Sequence, residues 1–271
     1  MLRYGGRRGG AFTMVQSSKD KAVRDRALER IVKRAHDHTA RANRPRASIF
    51  LKQYYAHLTL DMLQSFEPDA LALLALHHLK TGHKRAPGQT IVNVYNPDKS
   101  GSPWHVGHTV VEIITDDTPF LVDSVTAEIN NRCIGVHLAI HPVVRVRRKA
   151  GGQLADVLEF GLGGVDKDTR TESYIHLHID EQPEARLEEI RAGLLEVLGD
   201  VRLAVDDWHD MREQLETLVI EMDVLDQGLV HKMALNDVSE VRDFLRWVHD
   251  DHFTLLGYRE YAFNGSGSKA S

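Results

Sequence analysis

Residues 109–133, TVVEIITDDTPFLVDSVTAEINNRC, constrain the fold of this chain more than any other segment. A run rich in β-branched residues has the length of one strand and ends at Asp116-Asp117. Thr118 and Pro119 are typical of a helix start, because threonine caps free backbone N–H groups and proline has none to lose there. Apolar residues then recur at helical spacing as far as Cys133. The segment therefore predicts a strand, an acidic turn and an amphipathic helix.

The segments that follow extend this unit into a recognisable order of elements. Residues 136–147 alternate polar and apolar side chains, and Pro142 indicates an edge strand or a bulge. Residues 174–180 alternate strictly and predict another strand. A helix that Gly199 ends comes next, and residues 201–205 predict a fourth strand. The order β-α-β-β-α-β predicts an α+β, ferredoxin-like fold, which is an antiparallel sheet with two helices on one face.

Other helices are predicted before and after this unit. Residues 18–42 predict a solvated helix with a narrow apolar seam, and residues 48–80 predict two helical blocks separated at Pro68. Residues 90–95 predict a short strand between these helices and the central unit. Two helices are also predicted after the unit, over residues 209–226 and 237–250.

Composition and charge exclude several classes of protein. No apolar run has the length needed to cross a bilayer, so we expect no membrane partner. The single cysteine, Cys133, fits a reducing cytoplasm, and its place on the apolar helix face predicts a buried thiol. Residues 1–46 contain thirteen Lys or Arg against four Asp or Glu. A solvated helical arm explains this basic excess better than nucleic-acid binding does, so we expect no nucleic-acid partner.

Sixteen histidines raise the alternative of a metal-binding protein. The closest sets are His77-His78 with His83, His105 with His108, His137 with His141, and His176 with His178. If the strands over 136–147 and 174–180 pair, four imidazoles gather on one sheet face, which offers the ligand type that zinc prefers. The polar face of a sheet or an interface explains the same residues, and no HExxH-type spacing is present, so no metal is expected.

Catalytic motifs are not evident in the sequence. The nearest approach to a nucleotide-binding turn, residues 161–164, lacks the full glycine spacing and no apolar helix follows it, so a loop is predicted. A hydrolase built on His and Asp is disfavoured because no nucleophile elbow is present. We therefore expect no catalytic residue and no cofactor in this chain.

Four blocks of sequence resemble the amino-terminal region of the large bacterial NAD-specific glutamate dehydrogenases. They are TVVEIITDDTPFLVDSVTAEIN, VHLAIHPVVRVRR, ESYIHLHID and DDHFTLLGYREY, and the resemblance covers residues 48–263. It implies that the β-α-β-β-α-β unit is an ACT-like domain in a long regulatory segment and that the dehydrogenase domain lies far downstream. We therefore expect this chain to be the amino-terminal piece of a longer protein.

The residue patterns and the resemblance together predict five parts of the chain. They are a basic, partly disordered or helical arm over 1–47, a helical prelude over 48–88, the ACT-like domain over 89–208, a helical connector over 209–251, and the first strand of an incomplete second ACT-like domain with its tail over 252–271.

The function implied by the resemblance is regulation and assembly of a parent enzyme in the cytoplasm. That enzyme oxidatively deaminates L-glutamate to 2-oxoglutarate and ammonium with NAD. Expected partners are other copies, downstream modules of the same chain and an amino-acid effector. ACT domains that bind amino acids often do so at the first strand-to-helix loop, which here implies Asp116, Asp117 and Thr118 as ligand-binding residues. The alternatives are capping of the helix by these acids, a free-standing amino-acid sensor, and the histidine-rich metal module.

Overall fold

A computed structural model describes residues 18–97, 107–160, 168–229, 235–253, 255–259 and 261. These residues form two compact units. The first unit contains the described residues of Met1–Asp117 and Val122–Leu195, and the second contains those of Thr118–Leu121 and Glu196–Ser271. The loop predicted over residues 161–164 lies outside the described residues.

The first unit begins with a layer of helices: α1 (Ser18–Asp37), a 3-10 turn (Arg41–Asn43), α2 (Arg44–Tyr54), α3 (Leu60–Gln64) and α4 (Pro68–Thr81). Pro68 starts α4 as predicted, whereas the block before it is divided into α2 and α3. Thr59 divides it, because its hydroxyl accepts a hydrogen bond from the backbone N–H of Met62 at 3.3 Å and caps α3. The predicted apolar seam of α1 is buried at Leu28, Ile31 and Val32, which belong to one core with residues of α2 and α4.

The sheet has six antiparallel strands: β1 (Ile91–Tyr95), β2 (Thr109–Asp116), β3 (Val136–Ile140), β4 (Val143–Arg148), β5 (Leu154–Leu158) and β6 (Thr169–Ile179). β6 lies at its centre and pairs with β2 from Ile179 opposite Thr109 to Glu172 opposite Asp116. On its other side β6 pairs with β3 and β4, while β1 extends β2 and β5 extends β4. The predicted α+β class with an antiparallel sheet is therefore confirmed.

The fourth strand predicted over residues 201–205 is wrong. These residues continue helix α6 (Glu184–Asp206), which passes through Gly199 without ending. Leu198 and Val201 are buried at helical spacing, whereas Leu203 is 65% exposed, so the helical period prevails over a short β-branched run. The edge of β2 is paired instead with β1, from the amino-terminal side of the chain.

The single strand predicted over residues 136–147 consists of β3 and β4. They are separated at His141 and Pro142, because proline has no N–H to give to the ladder. The carbonyl of Pro142 accepts a hydrogen bond from the backbone N–H of Tyr174 at 3.0 Å, so both halves stay on β6. Strand β5 was not predicted, since LADVL is short and lacks alternation. Its turn from β4 requires Gly152, which has a φ of +79°.

Both faces of the sheet are buried, whereas the prediction placed two helices on one face and assigned no cover to the other. Ile140, Val144 and Tyr174 share a core with the helices α1 to α4. The opposite face is buried too, at Val111, Ile113 and Ile175. The apolar residues of α5 (Leu121–Asn131) and of the first turns of α6 are also buried: Val125, Ile129, Ile190 and Leu194. Successive side chains along β2 and β6 point to opposite faces of the sheet, and both sets are therefore shielded from water.

The ends of α5 differ from the prediction at both termini. The helix begins at Leu121 rather than next to Thr118, and Phe120 before it has a φ of 68°, a region that usually favours glycine. Cys133 follows the helix with a φ of 58° and is exposed, so the predicted buried thiol is wrong. The left-handed residue reverses the chain direction, and Ile134 is buried next to it.

The second unit contains α7 (Trp208–Leu229), α8 (Leu235–Trp247) and a π-helical turn (Val248–His252). Both predicted helices are confirmed: α7 is longer than predicted at both ends, while α8 begins two residues earlier and ends three residues earlier. The strand predicted over residues 252–263 is not formed by Phe253 or residues 255–259, which have no regular structure. A strand needs a neighbour to accept its hydrogen bonds. No helix in the described ranges combines the length and apolar character needed to cross a membrane.

Candidate functional site

The predicted ligand turn lies at the end of β2. The carboxylate of Asp116 forms an ion pair with Arg85. The Oδ1 atom of Asp117 accepts a hydrogen bond from Ser173 Oγ at 2.6 Å. Thr118 follows in the chain and is half-buried. Both acidic side chains therefore already have partners within the protein, and a ligand ammonium group would compete with Arg85 for Asp116.

Arg85 belongs to a buried network of charges with Arg148 and Glu172. The Nε and Nη2 atoms of Arg148 donate to the two carboxylate oxygens of Glu172 at 2.6 and 2.7 Å, which is bidentate pairing. Arg85 donates to the same carboxylate through Nε at 3.1 Å and Nη2 at 2.9 Å. With Asp116, the network has two positive and two negative charges.

Further hydrogen bonds of Arg148 and Arg85 hold the backbone segments that surround the network. Arg148 donates to the carbonyl of Gly152 at 2.8 Å and to that of Gly82 at 2.9 Å. The backbone N–H of Arg85 donates to Gly152 as well, at 3.0 Å. The network therefore joins the end of α4 and the β4–β5 turn to the central strand β6.

A second buried cluster lies on the sheet face that the helices α1 to α4 cover. It contains His78 on α4, Glu112 on β2 and His176 on β6, and Glu112 is directly opposite His176 in the register. All three side chains are fully buried, and one nitrogen or oxygen atom from each lies within 4.8 Å of the others. These are the ligand types of transition-metal sites.

Hydrogen bonds hold two of these three side chains. The Nδ1 atom of His78 is 2.8 Å from Tyr54 Oη, which directs Nε2 toward the cluster. The Oε1 atom of Glu112 accepts hydrogen bonds from His77 Nδ1 at 3.0 Å and from Tyr95 Oη at 3.2 Å. Two members of the cluster are therefore oriented by neighbouring side chains.

The electrostatics of the cluster favour a neutral imidazole next to an anionic carboxylate. Burial lowers the pKa of His78 to about 4. Burial alone would raise the pKa of Glu112, but the adjacent His78, His176 and His77 outweigh it and hold the pKa of Glu112 well below its usual range. The core therefore contains a carboxylate anion without an arginine or lysine partner among its described contacts.

A cavity of about 430 Å³ lies beside His178, the next inward residue after His176 on β6. Its wall includes His108, His137 and His178. The rings of His108 and His137 stack with centroids 4.3 Å apart, and the ring of His178 lies 5.0 Å from that of His176. Imidazoles therefore connect the cavity to the buried cluster.

The histidine sets predicted from sequence are only partly brought together. His176 and His178 share a buried face, but the residues opposite them on β3 are Ile140 and Leu138. His137 bonds instead to Asp180 at 2.7 Å. His141 bonds to Ser173 Oγ at 3.1 Å and His83 is exposed, while His105 lies outside the described residues.

Glu112 and the arginine network were not predicted as functional residues. For Glu112 the signal was present, since a carboxylate in the middle of the apolar strand TVVEIITD shares the parity of Val110 and Ile114. His78 likewise lies seven residues after Leu71 on the apolar face of α4. No local pattern identifies the pairing of Arg85 with Glu172, because 87 residues separate them.

Comparisons with known proteins point to one family. A family model described as the ACT1 domain of glutamate dehydrogenase matches residues 50–194. The chain is 35% identical over 219 residues to an NAD-specific glutamate dehydrogenase of Pseudomonas aeruginosa, an alignment that covers 80% of this chain and 13% of that protein.

Two further relatives have the same description. The protein of Halomonas elongata is 35% identical over 216 residues, with 78% of this chain and 13% of the relative aligned. That of Mycobacterium tuberculosis is 27% identical over 189 residues, with 69% of this chain and 11% of the relative aligned. The chain thus spans only about an eighth of the length of the curated relatives that it matches.

Proposed function

We propose a regulatory, non-catalytic function for this chain, which belongs to the family defined by the ACT1 domain of glutamate dehydrogenase. In this proposal it is the amino-terminal segment of a large NAD-specific glutamate dehydrogenase. The parent oxidatively deaminates L-glutamate to 2-oxoglutarate and ammonium, and NAD is the cofactor of a catalytic domain elsewhere in the parent. The observation that carries the proposal is the family match over residues 50–194, supported by alignments to only 13% of two long relatives.

The partners in this proposal are other modules of the parent chain and further copies of it, in the cytoplasm. The sheet offers a surface for such contacts at β1, which ends the described pairing order and has a strand neighbour on one side only. Edge strands present backbone donors and acceptors that another chain can pair with. The division into an arm, a prelude, an ACT-like domain, a connector and the start of a second module remains part of the proposal.

The size of the native polypeptide tests this proposal. An antibody raised against residues 18–195 is used to probe a lysate of the source cells. We expect a band several times larger than 30.6 kDa, and NAD reduction with glutamate by the purified native protein but not by the 271-residue chain. A single native band near 30.6 kDa would contradict the placement in a large dehydrogenase.

An amino-acid effector at Asp116, Asp117 and Thr118 is the second candidate function. It is favoured by the position of the turn before α5, where free backbone N–H groups attract a carboxylate. Titration calorimetry with a panel of amino acids tests it. We expect Asp117→Asn to weaken amino-acid binding at least about tenfold, because the contact between the carboxylate and the ligand ammonium group is lost. A charge contact that shifts a pKa by one unit is worth about 1.4 kcal/mol, which is a factor of ten in affinity. The control Asp123→Asn changes a carboxylate in the first turn of α5, and equal binding by both variants would remove the turn from the proposal.

A further inference from the structure

Buried ring nitrogens around Glu112 have no hydrogen-bond partner within the described ranges. They are His78 Nε2, both ring nitrogens of His176, and His178 Nε2. Buried polar atoms are nearly always paired, so a group of unpaired nitrogens on adjoining rings needs an explanation. A bound cation would accept lone pairs from these nitrogens and also compensate the buried charge of Glu112.

We propose that His78, Glu112 and His176 form a binding site for a divalent transition-metal ion, with Zn²⁺ as its representative. Imidazole nitrogen and carboxylate oxygen together are ligands that Zn²⁺ accepts, and three protein ligands leave one coordination position for water. His78 belongs to α4, whereas Glu112 and His176 belong to adjacent strands. The ion therefore fastens the layer of helices to the sheet.

The surroundings of the ligands match those of metal sites. Metal-binding histidines usually use their second ring nitrogen in a hydrogen bond that fixes the ring, and His78 does so with Tyr54 at 2.8 Å. Glu112 is fixed by His77 and Tyr95 through Oε1, while its Oε2 atom has Thr81 at 3.5 Å. Oε1 also lies 3.8 Å from His176 Nδ1, so an ion that binds both atoms would lie between them.

The spacing of the ligands requires a modest contraction on binding. Ligand atoms of one tetrahedral zinc ion are about 3.4 Å apart, given bonds of roughly 2.0–2.1 Å. The three donor atoms here lie within 4.8 Å of one another. Inward movements of about 1 Å by the imidazoles complete the site, and side-chain rotation supplies such movements.

The test uses the 271-residue chain carrying an affinity tag without histidine. The metal is removed with a chelator, and Zn²⁺ is returned in a competition titration against a chromophoric zinc indicator. We expect one Zn²⁺ per chain after dialysis and a rise in the melting temperature of roughly 5–10 °C at saturating Zn²⁺. Co²⁺ in place of Zn²⁺ should give visible absorption typical of tetrahedral coordination.

Two variants separate metal binding from folding. Glu112→Gln keeps the shape and the hydrogen-bonding oxygen of the side chain but removes the anionic ligand. His176→Phe removes two unpaired nitrogens, so it should leave the metal-free protein at least as stable as the parent sequence. Each variant should weaken Zn²⁺ binding at least 100-fold and lose the zinc-dependent rise in melting temperature. The control His83→Gln changes an exposed histidine and should retain both.

The outcomes are decisive in both directions. Loss of the stoichiometric ion in Glu112→Gln and His176→Phe, with retention in His83→Gln, supports the site. Absence of Zn²⁺ binding by the parent sequence would overturn the proposal. The unpaired ring nitrogens would then be explained by shared protons or by buried water. Equal binding by all four proteins would overturn it too, because the zinc would then be held elsewhere on the chain.

Discussion

At the scale of single residues, the least replaceable side chains are the buried charges beneath α4. Arg148 makes four hydrogen bonds, of which two go to Glu172 and two to backbone carbonyls. Breaking a buried ion pair from one side leaves an uncompensated charge, which costs more than the intact pair contributes. Function and stability at this site therefore cannot be separated by removing one partner.

We expect Arg148→Met to lower the free energy of unfolding by about 3–5 kcal/mol, because Glu172 loses its bidentate partner while Arg85 keeps its own contacts. Urea denaturation followed by circular dichroism measures this loss. The matched control is Arg191→Ala, which removes an arginine whose pair with Glu188 is open to solvent, with 39% and 73% of the two side chains exposed, and it should change the unfolding midpoint little. Similar losses for both variants would show that burial of the network is not what stabilises it.

Acid should destabilise the protein through its buried histidines. Burial lowers the pKa of His78 to about 4, and burial together with His176, His108 and His137 lowers that of His178 to about 3. Between these values and the unfolded pKa of about 6.5, the unfolded chain binds more protons than the folded one, so stability falls as the pH falls.

We expect the free energy of unfolding, measured with chelator present, to drop by about 2 kcal/mol between pH 6 and pH 5. His178→Phe should reduce that drop by about half, because one of the two groups no longer titrates. A pH-independent free energy in this interval would contradict the burial of neutral histidines.

At the scale of elements, the sequence predicts best where one segment contains its own signals. The strand and helix within residues 109–133 and the alternating strand β6 are of this kind. Prediction fails where two signals compete within one segment. Gly199 and the short run after it suggest a turn and a strand, but the apolar period of α6 continues past both. The candidate site was predicted only in part, since it is assembled by strand pairing and helix packing across distant segments.

Gly199→Ala tests this interpretation of α6. Gly199 is exposed within the helix, and a Cβ atom there would meet no other atom within 4 Å. Alanine in an exposed helix interior is favoured over glycine, so the free energy of unfolding should rise by about 0.5–1 kcal/mol. Gly152→Ala serves as the opposite control, because its backbone has a φ of +79° and its Cβ would overlap the carbonyl of Arg85. Thermal melts of both variants measure these changes, and Gly152→Ala should have a lower melting temperature than the parent sequence.

At the scale of the whole molecule, the amino-terminal helices and the sheet share one core. Leu28 and Ile31 of α1 belong to the same cluster as Ile140 and Val146 of the strands. We expect a fragment of residues 89–208 to aggregate or unfold at lower urea than one of residues 18–208, because the apolar sheet face beneath α1 to α4 would be exposed to water. Solubility on expression and the urea midpoint measure the difference. Equal midpoints for the two fragments would show that residues 89–208 fold without the amino-terminal helices.

The central position of β6 has a consequence for how the protein is made. β2, β3 and β4 all pair with β6, which follows them along the chain. A ribosome that adds 5–20 residues per second needs several seconds to go from the start of β2 at Thr109 to the end of β6 at Ile179. During that interval the nascent chain carries strands whose common neighbour has not yet been synthesised. The sheet can therefore close only after Ile179 has left the exit tunnel.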